Sequence, residues 1–239
     1  MRLSIILPAK NEEQNLPRIV ALLRDKLPSE EIIICEGGSA DETWRVALEL
    51  ELEHPGSIRA IQQDGKDKFN AVISGLKISS SEQIMIWDAD GTVDFEDQMR
   101  LIALARKDPS ALWTGDRLKG KREPGAMKPL NYLGNQAFSL LWAIIFLRKF
   151  DTLCGTKIFS RNLLESCPDQ IINRDPFGDF SLIAAAFISG SSVRSIPIHY
   201  LARSYGQTNI RRWSNGLQLL FIFVRLLPYL TQRWLKKKV

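Results

Sequence analysis

Asp88 and Asp90 stand two residues apart at the end of a short apolar run, Ile84-Met85-Ile86-Trp87, and are followed by Gly91 and Thr92. An apolar run of that length bounded by turn residues reads as a buried strand. Side chains at i and i+2 of an extended chain share a face. The spacing therefore predicts that the two carboxylates meet at the strand's carboxyl end, where open α/β sheets bind ligands. Two close carboxylates repel unless a proton or a divalent cation lies between them, and an all-oxygen donor set suits Mg²⁺ or Mn²⁺. Asp and Gly are also ordinary turn residues, so a solvated turn is the alternative reading of these residues alone.

The elements that must position this pair are legible upstream. Leu3–Leu7, Glu31–Cys35 and Ser57–Gln62 read as strands, and helices are expected after Pro8–Glu13, from Ser39-Ala40-Asp41-Glu42 with its capping-box spacing, and around Asp67–Ile78. Such alternation predicts a mostly parallel, Rossmann-like α/β sheet with helices on both faces. The loops after its strands would share one rim, gathering Asn11, Glu12, Glu36, Asp41, Lys66, Asp88 and Asp90. Asp41 suits either that rim or the turn capping the second helix. Gly37 and Gly38 suit either a close ligand approach or plain turn chemistry.

At 239 residues, with 45% apolar and 25% charged content, the chain is an ordinary globular one that need not divide. Three widely spaced cysteines argue for a reducing compartment rather than a disulfide framework, and two histidines leave little for histidine-based metal sites. The net charge of +5 gathers in the second half, at Arg117, Lys119, Lys121, Arg122 and Lys128 and again from Arg203 to Lys238. An anionic partner is implied. With no aromatic-studded nucleic-acid module, a phosphorylated substrate or membrane surface is preferred to nucleic acid. The run Leu217–Leu230 is very apolar but is interrupted by Arg225 and Pro228, and it is shorter than the roughly 20 residues of a spanning helix. With Trp234 and Lys236–Lys238 behind it, the reading is an interfacial amphipathic helix on anionic lipid, a core helix being the alternative.

Ser4–Asn15, with its Pro-x-x-Asn-Glu turn, Cys35–Asp41, Gly65-Lys66 with Asn70, and Asp88-Ala89-Asp90 occur in the order in which family 2 glycosyltransferases carry their motifs. The chain resembles that family. Further on, Thr114–Arg117, Glu123–Met127, Asn131–Asn135, Asp151–Phe159 and Pro197–Thr208 are similar to the polyprenyl-phosphate, dolichyl-phosphate mannose synthase-like branch. Three positions depart from the pattern: Gly37 stands where a second Asp is common, Thr156-Lys157 replaces a Phe/Met-Arg pair, and Asn209 replaces a basic residue.

The resemblance covers about residues 1–210 and implies a GT-A catalytic domain there; residues 211–239, from their apolar and basic pattern, are the expected membrane-interface helix. It implies inverting transfer of a sugar from a nucleotide-diphosphate donor to a lipid-linked phosphate, peripherally on the cytosolic face of a membrane. Pro8, Ala9, Asn11, Glu12, Glu36, Lys66 and Asp88 would bind the nucleotide sugar. Asp90 would be the first metal ligand and a catalytic residue, with Asp88 shared between ribose and metal. Arg117, Lys128 and Arg203 would hold the acceptor phosphate, which is already anionic near neutrality and gains more from a bidentate cation than from a base. Asp179 would be a general base, an orienter of those arginines, or a helix N-cap. A hydroxyl acceptor deprotonated by Asp179 is the enzymatic alternative, and a non-catalytic nucleotide-sugar-binding membrane partner is the other.

Overall fold

The computed structural model describes residues 2–172, 174–206 and 212–236. Strands β1 (Leu3–Ala9), β2 (Glu31–Glu36) and β3 (Ile58–Gln62) alternate with helices α1 (Asn15–Lys26), α2 (Thr43–Glu53) and α3 (Lys68–Ile78). They are followed by β4 (Gln83–Ile86), α4 (Phe95–Lys107), β5 (Leu112–Asp116), α5 (Pro129–Phe146) and β6 (Lys157–Ser160). A 3-10 helix (Arg161–Ser166), α6 (Asp169–Ile172), α7 (Asp179–Ser189), β7 (Val193–Pro197) and α8 (Arg212–Lys236) complete the chain. The seven strands form one sheet in the order β3-β2-β1-β4-β6-β5-β7. All neighbours are parallel except at β6, which runs antiparallel to both β4 and β5.

Both faces of the sheet are covered, so β1 reads as a continuous apolar run rather than an alternating one. Its side chains still alternate. Leu3, Ile5 and Leu7 join the core built with α1, α2 and α4, whereas Ile6 joins the core built with α3, α5, α7 and α8.

Several local expectations are corrected. The Ser39–Glu42 capping box does not form: α2 begins at Thr43, whose N–H and hydroxyl both donate to Asp41 Oδ1, while the Ser39 hydroxyl accepts from Asn11 N–H. Asp41 is thus a capping residue. Helix α5 starts with Pro129 in its first turn, where a missing N–H costs nothing. Helix α7 starts at Asp179. Helix α4 is missing from the sequence reading, although Asp94 caps it by accepting from the N–H groups of Glu96 and Asp97, and Arg106 and Lys107 close it.

Helix α8 has two apolar faces with different fates. Leu219, Ile222, Phe223, Leu226 and Leu230 are buried in the core against α5 and α7. Leu217, Leu220, Phe221, Val224 and Leu227 are exposed. No helix among the described residues is long and apolar enough to cross a membrane. Leu226→Ala is expected to lower unfolding stability by about 2–5 kcal/mol, and Val224→Ala to stay within about 0.5 kcal/mol. Urea unfolding of both variants checks this; equal losses would contradict the two-faced packing.

Candidate active site

Asp88 and Asp90 lie just beyond the carboxyl end of β4, in the segment that follows Ile86. Each carboxylate has its own cation. The Lys68 ammonium, at the first residue of α3, donates to Asp88 Oδ1. Arg203 Nη2 donates to Asp90 Oδ2 at 2.6 Å, and Asp90 Oδ1 accepts from the Thr92 N–H and hydroxyl at 3.1 and 2.8 Å. Burial works to raise the Asp88 pKa, but Lys68, Lys157 and Arg117 outweigh it and hold the carboxyl below its ordinary value.

Arg203 also donates to Glu12 Oε1 at 2.9 Å, and Glu12 Oε2 accepts from the Asn15 side chain at 2.6 Å. Burial raises the Glu12 pKa; Asn15 and Arg203 oppose it and Asp90 adds to it. The Glu12 carbonyl accepts from the N–H groups of Asn15 and Leu16, so the residue that holds Arg203 also opens α1. Asn11, in a left-handed conformation (φ 57°), accepts from Ala40 N–H, and buried Glu36 accepts from Ser39 N–H. Asn11 thereby clamps the β1 and β2 loops together, and Glu36 holds the β2 loop to its own strand end.

Asp179 is not an N-cap. Gly178 takes that position in a left-handed conformation (φ 80°), and Asp179 Oδ1 accepts from the Lys157 ammonium. Lys157 is fully buried in β6 and also donates to the Cys154 carbonyl. The turn before α7 is organised by Asp175, which accepts from the N–H groups of Phe177, Gly178 and Ser181; burial nevertheless raises its carboxyl pKa. Arg117 is not free to fork around a phosphate. Its Nε and Nη2 lie 2.6 and 3.1 Å from the two oxygens of fully buried Asp151, Nη2 also reaches the Leu153 carbonyl, and the guanidinium stacks on Tyr200. Burial works against the charged forms of both partners, yet each favours the other's charge: Arg117 is raised and Asp151 lowered.

These groups border one cavity of about 1390 Å³. Pro8, Ala9, Glu12, Asp88, Asp90 and Asp179 line it; Asn11 and Glu36 do not. Arg117 and Arg203 are on its wall, with exposed Lys66 and Lys128 nearer solvent. Gln207, Thr208 and Asn209 of the expected acceptor loop lie outside the described residues. The residues missed by sequence reasoning are Lys68, Lys157 and Asp151. The last two stand inside a motif that was noticed, but their pairing depends on chain crossings that spacing does not reveal. The donor set fits a hard divalent cation: two oxygen ligands, each already carrying a cationic stand-in. Among the described residues no third acid, His or Cys joins them, so remaining ligands would come from substrate or water.

The Arg117–Asp151 pair generates a stability prediction. Asp151→Asn leaves a buried guanidinium uncompensated and is expected to cost about 3–5 kcal/mol. Because the folded-state pKa of Asp151 is lowered, its contribution is complete above the unfolded value of about 3.9 and is lost as pH falls through the folded value. Glu12 and Asp175, with raised values, act in the opposite sense but equally in both proteins. Denaturant midpoints measured from about pH 6 down to about pH 2 are expected to fall less steeply in the variant. Parallel profiles would contradict the assignment.

Comparison with known proteins follows the same geometry. The chain is 26% identical to the low-salt glycan biosynthesis hexosyltransferase Agl6 of Haloferax volcanii over 95% of its own length and 54% of that protein's. It is 29% identical to the dolichyl-phosphate beta-glucosyltransferase ALG5A of Trichomonas vaginalis over 72% of its length and 56% of that protein's. It thus spans about half the length of these relatives. The structure is similar to that of Mycobacterium tuberculosis glucosyl-3-phosphoglycerate synthase in complex with Mn²⁺ and uridine-diphosphate-glucose, with a TM-score of 0.62 and 17% identity over 97% of this chain and 78% of that one. The shared architecture is the GT-A fold. The sequence profile described as "Glycosyl transferase family 2" matches residues 4–167, from β1 through the 3-10 helix. The chain belongs to glycosyl transferase family 2.

Proposed function

We propose that this chain transfers a sugar from a nucleotide-diphosphate donor to a polyprenyl phosphate at a membrane surface. The single observation that carries the reading is the composition of the cavity. Its lining is charged at Asp88, Asp90, Lys68 and Arg203 and apolar at Phe138 and Leu141 of α5 and Leu217 and Leu220 of α8. A phosphorylated lipid matches both kinds of lining. The dolichyl-phosphate relative and the Mn²⁺- and UDP-glucose-bound structure support the acceptor and donor halves respectively.

Asp88 and Asp90 would hold a divalent cation, which when bound supplies positive charge to the leaving nucleoside diphosphate. Pro8 and Ala9 form the wall on the nucleotide side, with Lys66 at the rim. Arg203 and Lys128 face the acceptor phosphate. Arg117, fixed by Asp151, presents a rigid positive edge rather than a fork. An acceptor phosphate needs no deprotonation, so Asp179, with Oδ1 engaged by Lys157, orients the cationic wall. The hydroxyl-acceptor alternative would instead need Asp179 as a base.

Transfer from UDP- and GDP-sugars to a short polyprenyl phosphate, with Mn²⁺ or Mg²⁺, tests the reading. Arg203→Ala is expected to lose transfer by about tenfold or more, with Arg203→Lys restoring only part, because the planar guanidinium holds Glu12 and Asp90 through two different nitrogens and a single ammonium does not reproduce that geometry. Asp179→Asn is expected to have the smaller effect, and Asp90→Asn to lower turnover. Normal transfer in Arg203→Ala alongside a dead Asp179→Asn would favour the hydroxyl acceptor.

Helices α5 and α8, which both line that cavity, also expose large apolar side chains (Leu133, Leu140 and Ile144; Leu217, Phe221 and Val224) that suit a lipid surface. Arg225 lies over the Phe221 ring. The side chains of Trp234 and Lys236–Lys238 lie outside those described. The double substitution Phe221→Asp and Val224→Asp is expected to lower binding to anionic liposomes while sparing nucleotide binding and the unfolding midpoint. Unchanged liposome binding would remove α8 from the membrane contact.

A further inference from the structure

The cations around the cavity fall into two kinds. Lys157 is fully buried, and Arg117 has 13% of its side chain exposed with its fork on Asp151; both are sealed into the scaffold. Lys68 and Arg203 have 30% and 25% of their side chains exposed, and both line the cavity. Lys68 is the unexpected one. It is the first residue of α3, where the helix dipole favours an acid and disfavours an ammonium. What compensates is the acidic surroundings: burial works against its charge, but Asp88, Asp179 and Asp90 together raise its pKa. Gly155 is part of the same arrangement. A Cβ there would collide with both the Asp88 carboxylate and the Lys68 ammonium, so only glycine leaves the pair its seat. A residue placed against its local preference, open to the cavity and fitted to a glycine, marks a functional rather than a purely structural pair.

We propose that Lys68 is an exchangeable counter-cation of the nucleotide site: it neutralises Asp88 in the ligand-free protein and turns to the donor's diphosphate when a divalent cation takes Asp88. The inference rests on the nucleotide-donor reading above. The charge balance gives the reason. Asp88 and Asp90 are already matched by Lys68 and Arg203, so a divalent cation entering alone must displace an ammonium and leave the site with excess positive charge. Arrival of a nucleoside diphosphate restores the balance and gives the displaced ammonium phosphate oxygens to contact. Metal and nucleotide binding are therefore positively coupled, and by linkage each tightens the other equally. Lys68 acts on the carboxylate and the diphosphate by position; it is not asked to move a proton.

The test is direct binding by the full chain of Mn²⁺ alone, of UDP and GDP alone, and of each nucleotide with Mn²⁺, by calorimetry and Mn²⁺ electron paramagnetic resonance. The proteins are the unaltered chain, Lys68→Met and Lys68→Arg. Lys68→Met is expected to bind Mn²⁺ alone about fivefold or more tightly than the unaltered chain, to bind nucleotide with Mn²⁺ more weakly, and so to lose most of the metal–nucleotide coupling. Lys68→Arg, which keeps the charge, is expected to keep the weak binding of Mn²⁺ alone. Should Lys68→Met lower the unfolding midpoint, Lys68→Gln takes its place with the same expectations. If the unaltered chain binds nucleotide with Mn²⁺ but loss of the Lys68 charge leaves Mn²⁺ affinity unchanged or weaker, the counter-cation role is overturned and the donor reading stands. If the unaltered chain binds neither nucleotide with Mn²⁺, the donor reading falls and this inference with it.

Discussion

Five carboxylates gathered near the carboxyl end of this sheet are each matched by an internal cation. Removing a carboxylate from water is costly unless it is paired and hydrogen-bonded. The chain meets that constraint with four cations on five carboxylates: Lys68 on Asp88, Arg203 on Asp90 and Glu12, Lys157 on Asp179, and Arg117 on Asp151. The eight-residue stretch from Asp151 to Ile158 serves three of them. Asp151 fixes Arg117, Gly155 makes room for the Lys68 pair, and Lys157 anchors Asp179.

Those pairings account for the one irregularity in the sheet. Strand β6 runs against β4 and β5 on either side, with Lys157 in register with Ile86 of β4 and Thr114 of β5. That register carries Lys157 to the strand's start, beside the turn that holds Asp88 and Asp90, and lets Gly155 approach Asp88. A parallel strand would present its other end there. The reversal thus brings a cation and a glycine to the rim where the preceding parallel units deliver acids.

Helix α8 joins stability to the surface argument. Its inner face completes the core beside Trp142, Phe180 and α7, with Phe223 packed edge-on to Trp142. Its outer face leaves large apolar side chains in water. A helix that buries one apolar stripe and exposes another is stable without lipid and still suited to it. The core reading of this segment holds for its inner face, and the interfacial reading is what we propose for its outer face.

Periodicity and motif order made the first half legible. The β1, β2 and β3 runs, the α3 start, and the Asp88/Asp90 turn follow from local rules, because each depends on residues within about one element's length. The ordered motifs also carried the family, and residues 4–167 bear it out. What local rules did not supply was partnership. Asp88 and Asp90 look like a like-charge pair in sequence; in the fold each has its own cation, 20 residues upstream for Asp88 and 113 downstream for Asp90. Arg117 looks like a free phosphate ligand, but Asp151, 34 residues on, occupies its fork. Ser39 looks like a cap but serves Asn11 across the sheet. Residue type and spacing settled which groups are able to do chemistry. Which charges neutralise one another was decided by the tertiary structure, because the cost of burying a charge is met by whatever group the fold brings within hydrogen-bonding distance, and sequence separation does not enter that energy.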